Sequence, residues 1–359
     1  MLMLGRRRGW LATVVIAAAA WGAVGPAHAQ SCSMLSGRTI TWIVPLSPGG
    51  GFDIEARVLA PHLATAMGAD VVVQNMPGAG GQIGAKAIRD ATPDGTTFGV
   101  VNGSGLIAVA LLEEPGAPRL EEFTILARSG PQRHVWMVSE ESPILTGDEL
   151  IARAQAGDLV FGATDLGGAS FLSTVLGASL LGFEPEIVVG YRGSSEVRVA
   201  ALRGDIDALS GTFESSYGML ATGELRPVLQ LSSVTISDDP VLAGVPTLGG
   251  PDGLAVRHAA ATGGDVAEAE ALAGLAAEIT GLGRFLVAPP GLSPDVEECL
   301  AGALARVMAD PATLADIRAA NRDLEPLDAA EATAVGRDTL ERAGDFRSLV
   351  EQAIARVRS

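Results

Sequence analysis

Four histidines are the side chains of this sequence best suited to acid–base chemistry, and none of them stands in a catalytic motif. His28 lies near the N-terminus, and His62, His134 and His258 are each distant along the chain from any cysteine, second histidine or motif serine. The sequence contains neither HExxH nor the GxSxG of a nucleophile elbow. We therefore expect these histidines to be ordinary surface or loop residues, and we predict no catalytic residues and no enzyme.

The glycine-rich segment GAGGQIG at residues 78–84 has the composition of a dinucleotide-binding loop but not its spacing. It misses GxGxxG by one residue, and no acidic residue ends a strand about twenty residues later, where a ribose partner would lie. We predict no cofactor. The glycines instead permit tight turns and a close approach of the backbone to a small molecule.

Two other glycine-rich loops, residues 49–53 and 167–170, each precede a predicted helix. A helix start carries free N–H groups and about half a positive charge, and glycine leaves room for a carboxylate to reach them. Both loops are predicted at the carboxyl ends of parallel strands, where open α/β sheets bind ligands. The alternative interpretation is that these glycines only form strand–helix turns.

Strands and helices alternate around the first of these loops. β-Branched runs and apolar residues at helical spacing predict strands at residues 39–44, 71–73 and 98–101, with helices at 53–67 and 82–91. This βαβαβ order implies a parallel sheet. Pro61 is expected to kink or break the first helix.

The same order returns in the middle of the chain, with strands at residues 159–163, 186–189 and 206–209 and helices at 169–181 and 195–203. The sequence therefore predicts an α/β protein with two lobes and a cleft between them. The remainder is mostly helical, with a strand at 285–288 and a helix that begins after Ser293. Residues 249–264 are interpreted as a surface loop.

The N-terminus has the pattern of a secretory signal peptide. Arg6, Arg7 and Arg8 precede an apolar stretch at residues 11–24, and Ala27-His28-Ala29 resembles a cleavage site. The stretch is short for a membrane span, although an uncleaved anchor is the alternative. We predict export to the periplasm with cleavage near Ala29.

The charge balance excludes several partners. The formal net charge is -17, and removing residues 1–29, with three arginines and no acids, gives -17 minus 3, or -20. So acidic a protein does not hold nucleic acid or anionic lipid by bulk charge. Any attraction for an anionic ligand must therefore be local.

The two cysteines, Cys32 and Cys299, are too few for a zinc site, and we predict no bound metal. In an exported protein an even pair is free to oxidise, and we predict a Cys32–Cys299 disulfide.

Several motifs occur in a fixed order along the chain: PGGGFD at residues 48–53, VQNMPGAGGQIG at 73–84, PDGTTF at 93–98, GYRGS at 190–194, GDID at 204–207, VPTL at 245–248 and APPG at 288–291. In this order they resemble the substrate-binding receptors of tripartite tricarboxylate transporters, the TctC or Bug family. The resemblance extends from about residue 37 to the C-terminal helices. It implies a Venus-flytrap fold of the type II-like class, a bound small carboxylate, two integral membrane partner subunits and no catalysis.

The resemblance also implies the lobes and the pocket. The first lobe is expected at residues 37–138 and 232–359 and the second at 139–231, in a chain that acts as a monomer. The implied pocket residues are Gly49, Gly50, Gly51, Phe52, Asp53, Asn102 and Ser104 in the first lobe, and Thr164, Gly168, Ala169, Ser170, Tyr191 and Asp207 in the second.

For some of these residues a structural role is the alternative. Asp53 could only cap its helix, and Tyr191 could be a core residue. Phe52 and Phe171 depart from the family pattern and hint at a less polar ligand. A secreted enzyme on the same fold is the rival hypothesis, although the sequence offers it no obvious base or metal.

Overall fold

The computed structural model describes residues 32–113, 115–166 and 168–358. The predicted signal peptide and its cleavage site lie outside the described residues, as does Gly167. No helix in the described ranges combines the length and the apolar character that crossing a membrane requires.

Strands and helices alternate through most of the described chain. The strands are β1 (Thr39–Val44), β2 (Asp70–Asn75), β3 (Thr97–Asn102), β4 (Thr124–Gly130), β5 (His134–Ser139), β6 (Val160–Gly162), β7 (Glu186–Val188), β8 (Ala208–Thr212), β9 (Leu225–Gln230), β10 (Arg284–Ala288) and β11 (Leu327–Asp328). The helices are α1 (Gly51–Met67), α2 (Gln82–Arg89), α3 (Gly103–Leu112), α4 (Gly147–Gln155), α5 (Ala169–Leu180), α6 (Ser194–Arg203), α7 (Phe213–Ala221), α8 (Leu254–Thr262), α9 (Val266–Gly281), α10 (Pro294–Ala309), α11 (Pro311–Ala319), α12 (Ala329–Ala343) and α13 (Arg347–Arg358).

Two sheets organise these elements. The first has the order β11-β4-β10-β3-β1-β2 and the second the order β7-β6-β8-β5-β9. β1 pairs in parallel with β2 and β3, and β6 pairs in parallel with β7 and β8, while β10 and β5 run antiparallel to their neighbours. Most strands of each sheet therefore point the same way, and the predicted two-lobed α/β class is confirmed. We call the parts built on these sheets the first and the second lobe.

The chain passes from the first sheet to the second between Gly130 and His134, because β5 pairs with β8 and β9. This crossing lies upstream of the predicted boundary at residues 138 and 139. Helices α9 and α13 pack against α5 of the second lobe and also against α3 of the first. Which residues move together as one lobe therefore stays a prediction.

Helix α1 runs through Pro61 without a break and ends at Gly68, whose φ of 63° closes the helix. The expected break is wrong for a local reason. Pro61 lies on the exposed side, so the lost hydrogen bond to the fourth preceding residue and the crowding of the ring against that turn leave the buried face intact. Leu59, Leu63 and Met67 are buried on the opposite side and hold the helix against the core.

The prediction of a surface loop at residues 249–264 is wrong, since α8 occupies most of it. Leu254, Ala255 and Ala259 are buried and recur at helical spacing, and Gly263 closes the helix with a φ of 77°. The alanines supply the helix propensity, and packing against α9 supplies the apolar partner.

A disulfide joins Cys32 to Cys299, with their Cα atoms 5.3 Å apart. It ties the start of the described chain to α10, and both cysteines lie in the buried apolar cluster of the first lobe. The pairing is the one that the sequence predicts.

Candidate functional site

The carboxyl ends of the parallel strands in both sheets lead into loops that meet across a cleft. The Ser47 hydroxyl, after β1, donates to the Arg192 carbonyl, after β7, at 2.9 Å. Gly80 of the first lobe lies so close to the Asp165 carboxylate of the second that a Cβ has no room there. These two contacts bring the lobes together at the cleft.

A cavity of about 540 Å³ lies between the lobes at this place. Its lining is mostly apolar, with a few polar groups from either side. It is formed by Ala79, Gly80, Gln82, Ile83, Lys86, Gly105, Val109, Leu112, Pro115, Gly116, Ala117, Pro118, Thr164, Asp165, Leu166, Val189 and Gly190. Gly80, Gln82 and Gly105 also line a second, small cavity that reaches Asn102, so the two spaces adjoin.

The first glycine-rich loop is organised by Asp53. Its carboxylate accepts hydrogen bonds from the Gly49 N–H at 2.8 Å, from Arg57 Nε at 2.9 Å and from Asn75 Nδ2 at 2.9 Å. Burial raises the pKa of Asp53, but the bonds from Arg57, Gly49 and Asn75 outweigh it, so the pKa lies below its usual value. Asp53 therefore fixes the loop from within, but it does so through the Gly49 N–H, which precedes the N-cap residue Gly50, so the expected helix cap is not formed. Contact of Asp53 with a ligand stays a prediction.

The second loop contains a carboxylate that the sequence analysis left without a role. Asp165 accepts from the Thr164 hydroxyl at 2.7 Å, and its carboxylate lies beside Gly168 at the start of α5. Burial raises the pKa of Asp165, while the neighbouring Thr164 hydroxyl and Gly168 backbone partly oppose the rise. Its Oδ1 is buried without a hydrogen-bond partner among the described residues. The positive helix start predicted to meet the ligand thus already faces an acid of the protein.

Ala169 and Ser170 follow in the first turn of α5. Ala169 is buried, and the Ser170 carbonyl accepts bonds from the Ser173 and Thr174 hydroxyls at 3.0 and 2.9 Å. The Ser170 side chain is partly exposed.

Asn102 and Ser104 lie at the cleft edge of the first sheet. Asn102 caps α3 by accepting from the Ser104 N–H at 3.1 Å, and it lines the small cavity. The Ser104 hydroxyl is buried and donates to the Thr280 carbonyl at 3.0 Å. Asn102 thus faces the cleft, whereas Ser104 serves the packing of α3 on α9.

The expectation that Asp207 lies in the pocket is wrong. Asp207 precedes β8 and binds the N–H of Val160 at the amino end of β6, whereas the cleft lies at the carboxyl ends of these strands. Tyr191 is partly buried and packs with the apolar cluster of the second lobe. Its ring lies against Gly162, so the core alternative fits it.

Phe52 and Phe171 do not support the hint of a less polar ligand. Phe52 is buried in the apolar cluster of the first lobe, and Phe171 is fully buried in the larger cluster that joins the lobes. Their side chains are therefore part of the core.

Three buried arginines, which the sequence analysis did not identify, lie where the lobes meet. Arg198 of α6, Arg284 of β10 and Arg322 after α11 are only 7%, 5% and 6% exposed. Arg284 Nε lies 2.7 Å from Glu55 Oε2, which forms an ion pair. Arg198 Nη2 donates only to the Ser195 hydroxyl, at 3.1 Å.

Arg322 has no side-chain hydrogen bond and no ion pair within the described residues. Burial lowers its pKa, and nearby Arg284 and Arg198 lower it further, while Glu214 and Glu55 raise it. These five groups, two of them from the second lobe, are therefore close enough to act on one another. We call Arg198, Arg284 and Arg322 the arginine cluster.

The arginine cluster adjoins the first glycine-rich loop. A Cβ added to Gly51 would lie 3.1 Å from Arg322 Nη1, and Arg284 is the strand partner of Asn102. A sequence signal existed at Arg198, which occupies a buried helical position beside Val197 and Ala201. A charge on an apolar helix face calls for a buried partner or a function.

His134 departs from the expectation of an ordinary surface or loop residue, because it is buried on β5. Its Nδ1 lies 3.3 Å from the Ser210 hydroxyl, which pairs with Ser173 at 2.6 Å. Burial lowers the pKa of His134 to about 4, so it is neutral at physiological pH. No group of three or more His, Cys, Asp or Glu in the described part of the chain is placed to hold a metal ion.

Comparison with known proteins agrees with this architecture. Residues 55–249 match the model of the tripartite tricarboxylate transporter family receptor. Protein BugT of Bordetella pertussis is 32% identical over 68% of this chain and 75% of its own length. A UPF0065 protein from the tcbD-tcbE intergenic region of a Pseudomonas species is 29% identical over 70% of this chain and 73% of its own.

Solved structures share the fold. MatC from Rhodopseudomonas palustris with bound malate superposes with a TM-score of 0.70 at 21% identity, over 86% of this chain and 99% of its own. Rpa4515 of R. palustris with adipate gives 0.70 at 21% identity, over 88% and 97%. The periplasmic binding protein BugD gives 0.69 at 20% identity, over 88% and 97%.

Proposed function

Since the chain belongs to the tripartite tricarboxylate transporter receptor family, we propose that it captures a small carboxylate between its two lobes and delivers it to the membrane subunits of such a transporter. Capture takes place outside the cytoplasm, in the periplasm. Family members are periplasmic binding proteins, and the predicted signal peptide agrees with that location.

The observation that carries this proposal is the cavity of about 540 Å³ lined from both lobes. A ligand held there touches both lobes at once, so binding favours the closed arrangement. The malate and adipate bound to MatC and Rpa4515 are both small carboxylates, which supports this ligand class. Gly50, Gly51 and Ser170 are the proposed loop contacts.

A panel of carboxylates that includes malate and adipate tests the proposal by thermal shift. A ligand that binds only the folded protein, present at about 100 times its dissociation constant, stabilises it by about 2.7 kcal/mol. We expect at least one carboxylate to do so, and titration calorimetry then gives its affinity. A panel without a single binder contradicts the proposed ligand class.

Gly51→Val tests whether the ligand lies in the cleft. Gly51 does not have a positive φ, so the backbone accepts valine, and the new side chain narrows the space beside Arg322. Gly218→Val is the matched control, because Gly218 is a helical glycine with open space around it. We expect the first variant to weaken binding and the second to retain it. Equal affinities would place the ligand elsewhere.

The rival hypothesis of a secreted enzyme predicts turnover. Incubating the protein with its best carboxylate and following the acid by chromatography separates the two ideas. We expect the acid to be recovered unchanged. A product formed in proportion to protein concentration would favour the enzyme.

Delivery to a transporter is tested in cells. We expect uptake of the ligand to require both this protein and the membrane subunits of its transporter. Uptake that persists when the membrane subunits are deleted would contradict a receptor role.

A further inference from the structure

We propose that the arginine cluster is the carboxylate-binding subsite of the cleft, in which Arg198 and Arg322 hold one carboxylate from opposite lobes. The inference rests on the proposed function and names the groups that recognise the ligand.

The charges around the arginine cluster do not balance. Three buried guanidinium groups face two carboxylates, Glu55 and Glu214, and three minus two leaves one positive charge unmatched. Glu214 is also shared with Arg133, whose Nη1 lies 3.0 Å from it. Arginine keeps its proton in proteins, so this charge cannot be removed by titration. A buried charge without a partner is costly, and a bound anion relieves that cost.

The arginine cluster also contains hydrogen-bond donors without a partner. Arg198 Nη1 and Arg322 Nε are buried and have no partner among the described residues. Guanidinium groups bind carboxylates through paired, charge-assisted hydrogen bonds, which are stronger than bonds between neutral groups. The arginine cluster therefore offers both the charge and the donors that a carboxylate requires.

The two helix starts are poorer candidates for the same role. Asp53 lies in the first turn of α1 and binds the preceding Gly49 N–H, and the Asp165 carboxylate lies beside Gly168 at the start of α5. A ligand carboxylate beside Asp165 would meet an acid that itself lacks a partner on Oδ1. The carboxylate is thus directed to the arginine cluster, while the mostly apolar cavity beyond Asn102 receives the rest of the ligand.

Arg198 belongs to the second lobe, and Arg284 and Arg322 belong to the first. A carboxylate held by Arg198 and Arg322 together exists only when the lobes are closed. The anion therefore removes the repulsion between like charges that closure would otherwise create. Closure becomes dependent on the ligand.

The experiment compares Arg322→Gln and Arg198→Gln with Arg257→Gln. Arg257 is half exposed and pairs with Asp148 at 3.0 Å on the surface, so its variant makes the same change in net charge far from the arginine cluster. Calorimetry with the best carboxylate of the panel should show a loss of affinity on the order of 10- to 100-fold for each cluster variant. Arg257→Gln should retain the wild-type affinity.

A second measurement separates a ligand-binding role from a structural one. Without ligand, Arg322→Gln removes a buried unpaired charge, so its melting temperature should equal or exceed that of the wild type. A structural arginine would give the opposite result, a lower melting temperature for the ligand-free protein. Should Arg322→Gln fold poorly, Arg198→Gln provides the same comparison, with circular dichroism to verify folding.

The experiment distinguishes failure of the subsite from failure of the proposed receptor function. Wild-type binding that survives in both cluster variants would overturn the subsite and leave the receptor function standing. If no carboxylate binds the wild type, the receptor function fails, and sulfate and phosphate become the probes. Binding of either anion that is lost in Arg322→Gln and kept in Arg257→Gln would still support the subsite. Absence of such a difference would overturn it.

Discussion

Asp53 and Asp165 show what single residues contribute to the cleft beyond the glycine pattern. The glycine-rich motifs located both loops in the sequence, because tight strand–helix turns favour glycine. That the Asp165 carboxylate lies beside Gly168 depends on local folding that the motif does not encode. The helix starts could therefore be predicted, but not that carboxylates of the protein lie beside them.

Sequence motifs could not identify the arginine cluster. Arg198, Arg284 and Arg322 come from three segments that only the fold brings together. The charge balance of the whole chain predicted that attraction for an anion must be local. It could not say which of the arginines supplies that attraction.

His134 gives a prediction about pH. Its pKa falls from the ordinary 6.5 to about 4 on folding, because burial disfavours the charged ring. Between these two pH values the unfolded chain binds more protons than the folded one. The contribution of His134 to the free energy of unfolding is therefore fully present above pH 6.5, the pKa of the unfolded chain. It decreases as the pH falls towards 4, by about 3 kcal/mol.

The measurement is the free energy of unfolding in denaturant at several pH values between 7 and 4. His134→Asn should reduce the pH dependence in this interval, whatever its effect on absolute stability. Wild type and variant with parallel pH profiles would show that His134 does not take up a proton on unfolding.

At the level of elements, alternating patterns predicted most strands and helices correctly. β1 matches its prediction at both ends, and α5 differs by one residue. Helix α8 was missed, because its glycine-rich flanks concealed buried residues that packing on α9 makes helical. Turn-forming residues indicate where a helix can stop, but only the tertiary partner determines whether one forms.

Pro61 provides a stability test for α1. Pro61→Ala restores the N–H that the helix interior lacks and removes the ring from the preceding turn, so we expect a gain of about 1–2 kcal/mol. Pro311→Ala is the matched control, because Pro311 stands at the first position of α11, where no N–H partner is needed. Chemical denaturation measures the free energy of unfolding of both variants and of the wild type. A gain at Pro311 equal to that at Pro61 would contradict the explanation.

For the molecule as a whole, the disulfide closes a loop that contains most of the described chain. Its two cysteines are 267 residues apart in sequence, so in the chain-entropy model the bond contributes up to about 5 kcal/mol. We expect the double variant Cys32→Ser, Cys299→Ser to unfold at lower denaturant concentration than the oxidised protein. Thiol titration of unfolded, non-reduced protein should find no free thiol. Two free thiols would contradict the bond.

The lobes are joined by more than their connecting segments. One buried apolar cluster contains Val101 of the first sheet together with Trp136 and Phe161 of the second. Helices α9 and α13, which contact elements of both lobes, continue this shared core. Sequence patterns could define the two sheets, because each has its own strand signals. They could not define the limits of movement, since these depend on a core common to both.

The contrast between an acidic exterior and a cationic interior has a kinetic consequence. The chain carries a formal net charge of -17, whereas the unmatched charge of the arginine cluster is positive and buried. An approaching anion is therefore repelled at long range and attracted only inside the cleft. Raising the ionic strength from 0.01 to 0.15 M shortens the screening length from about 30 to about 8 Å, which weakens the repulsion first. Stopped-flow measurements should show carboxylate association that accelerates with salt, whereas slowing would mean that the field of the arginines extends beyond the cleft.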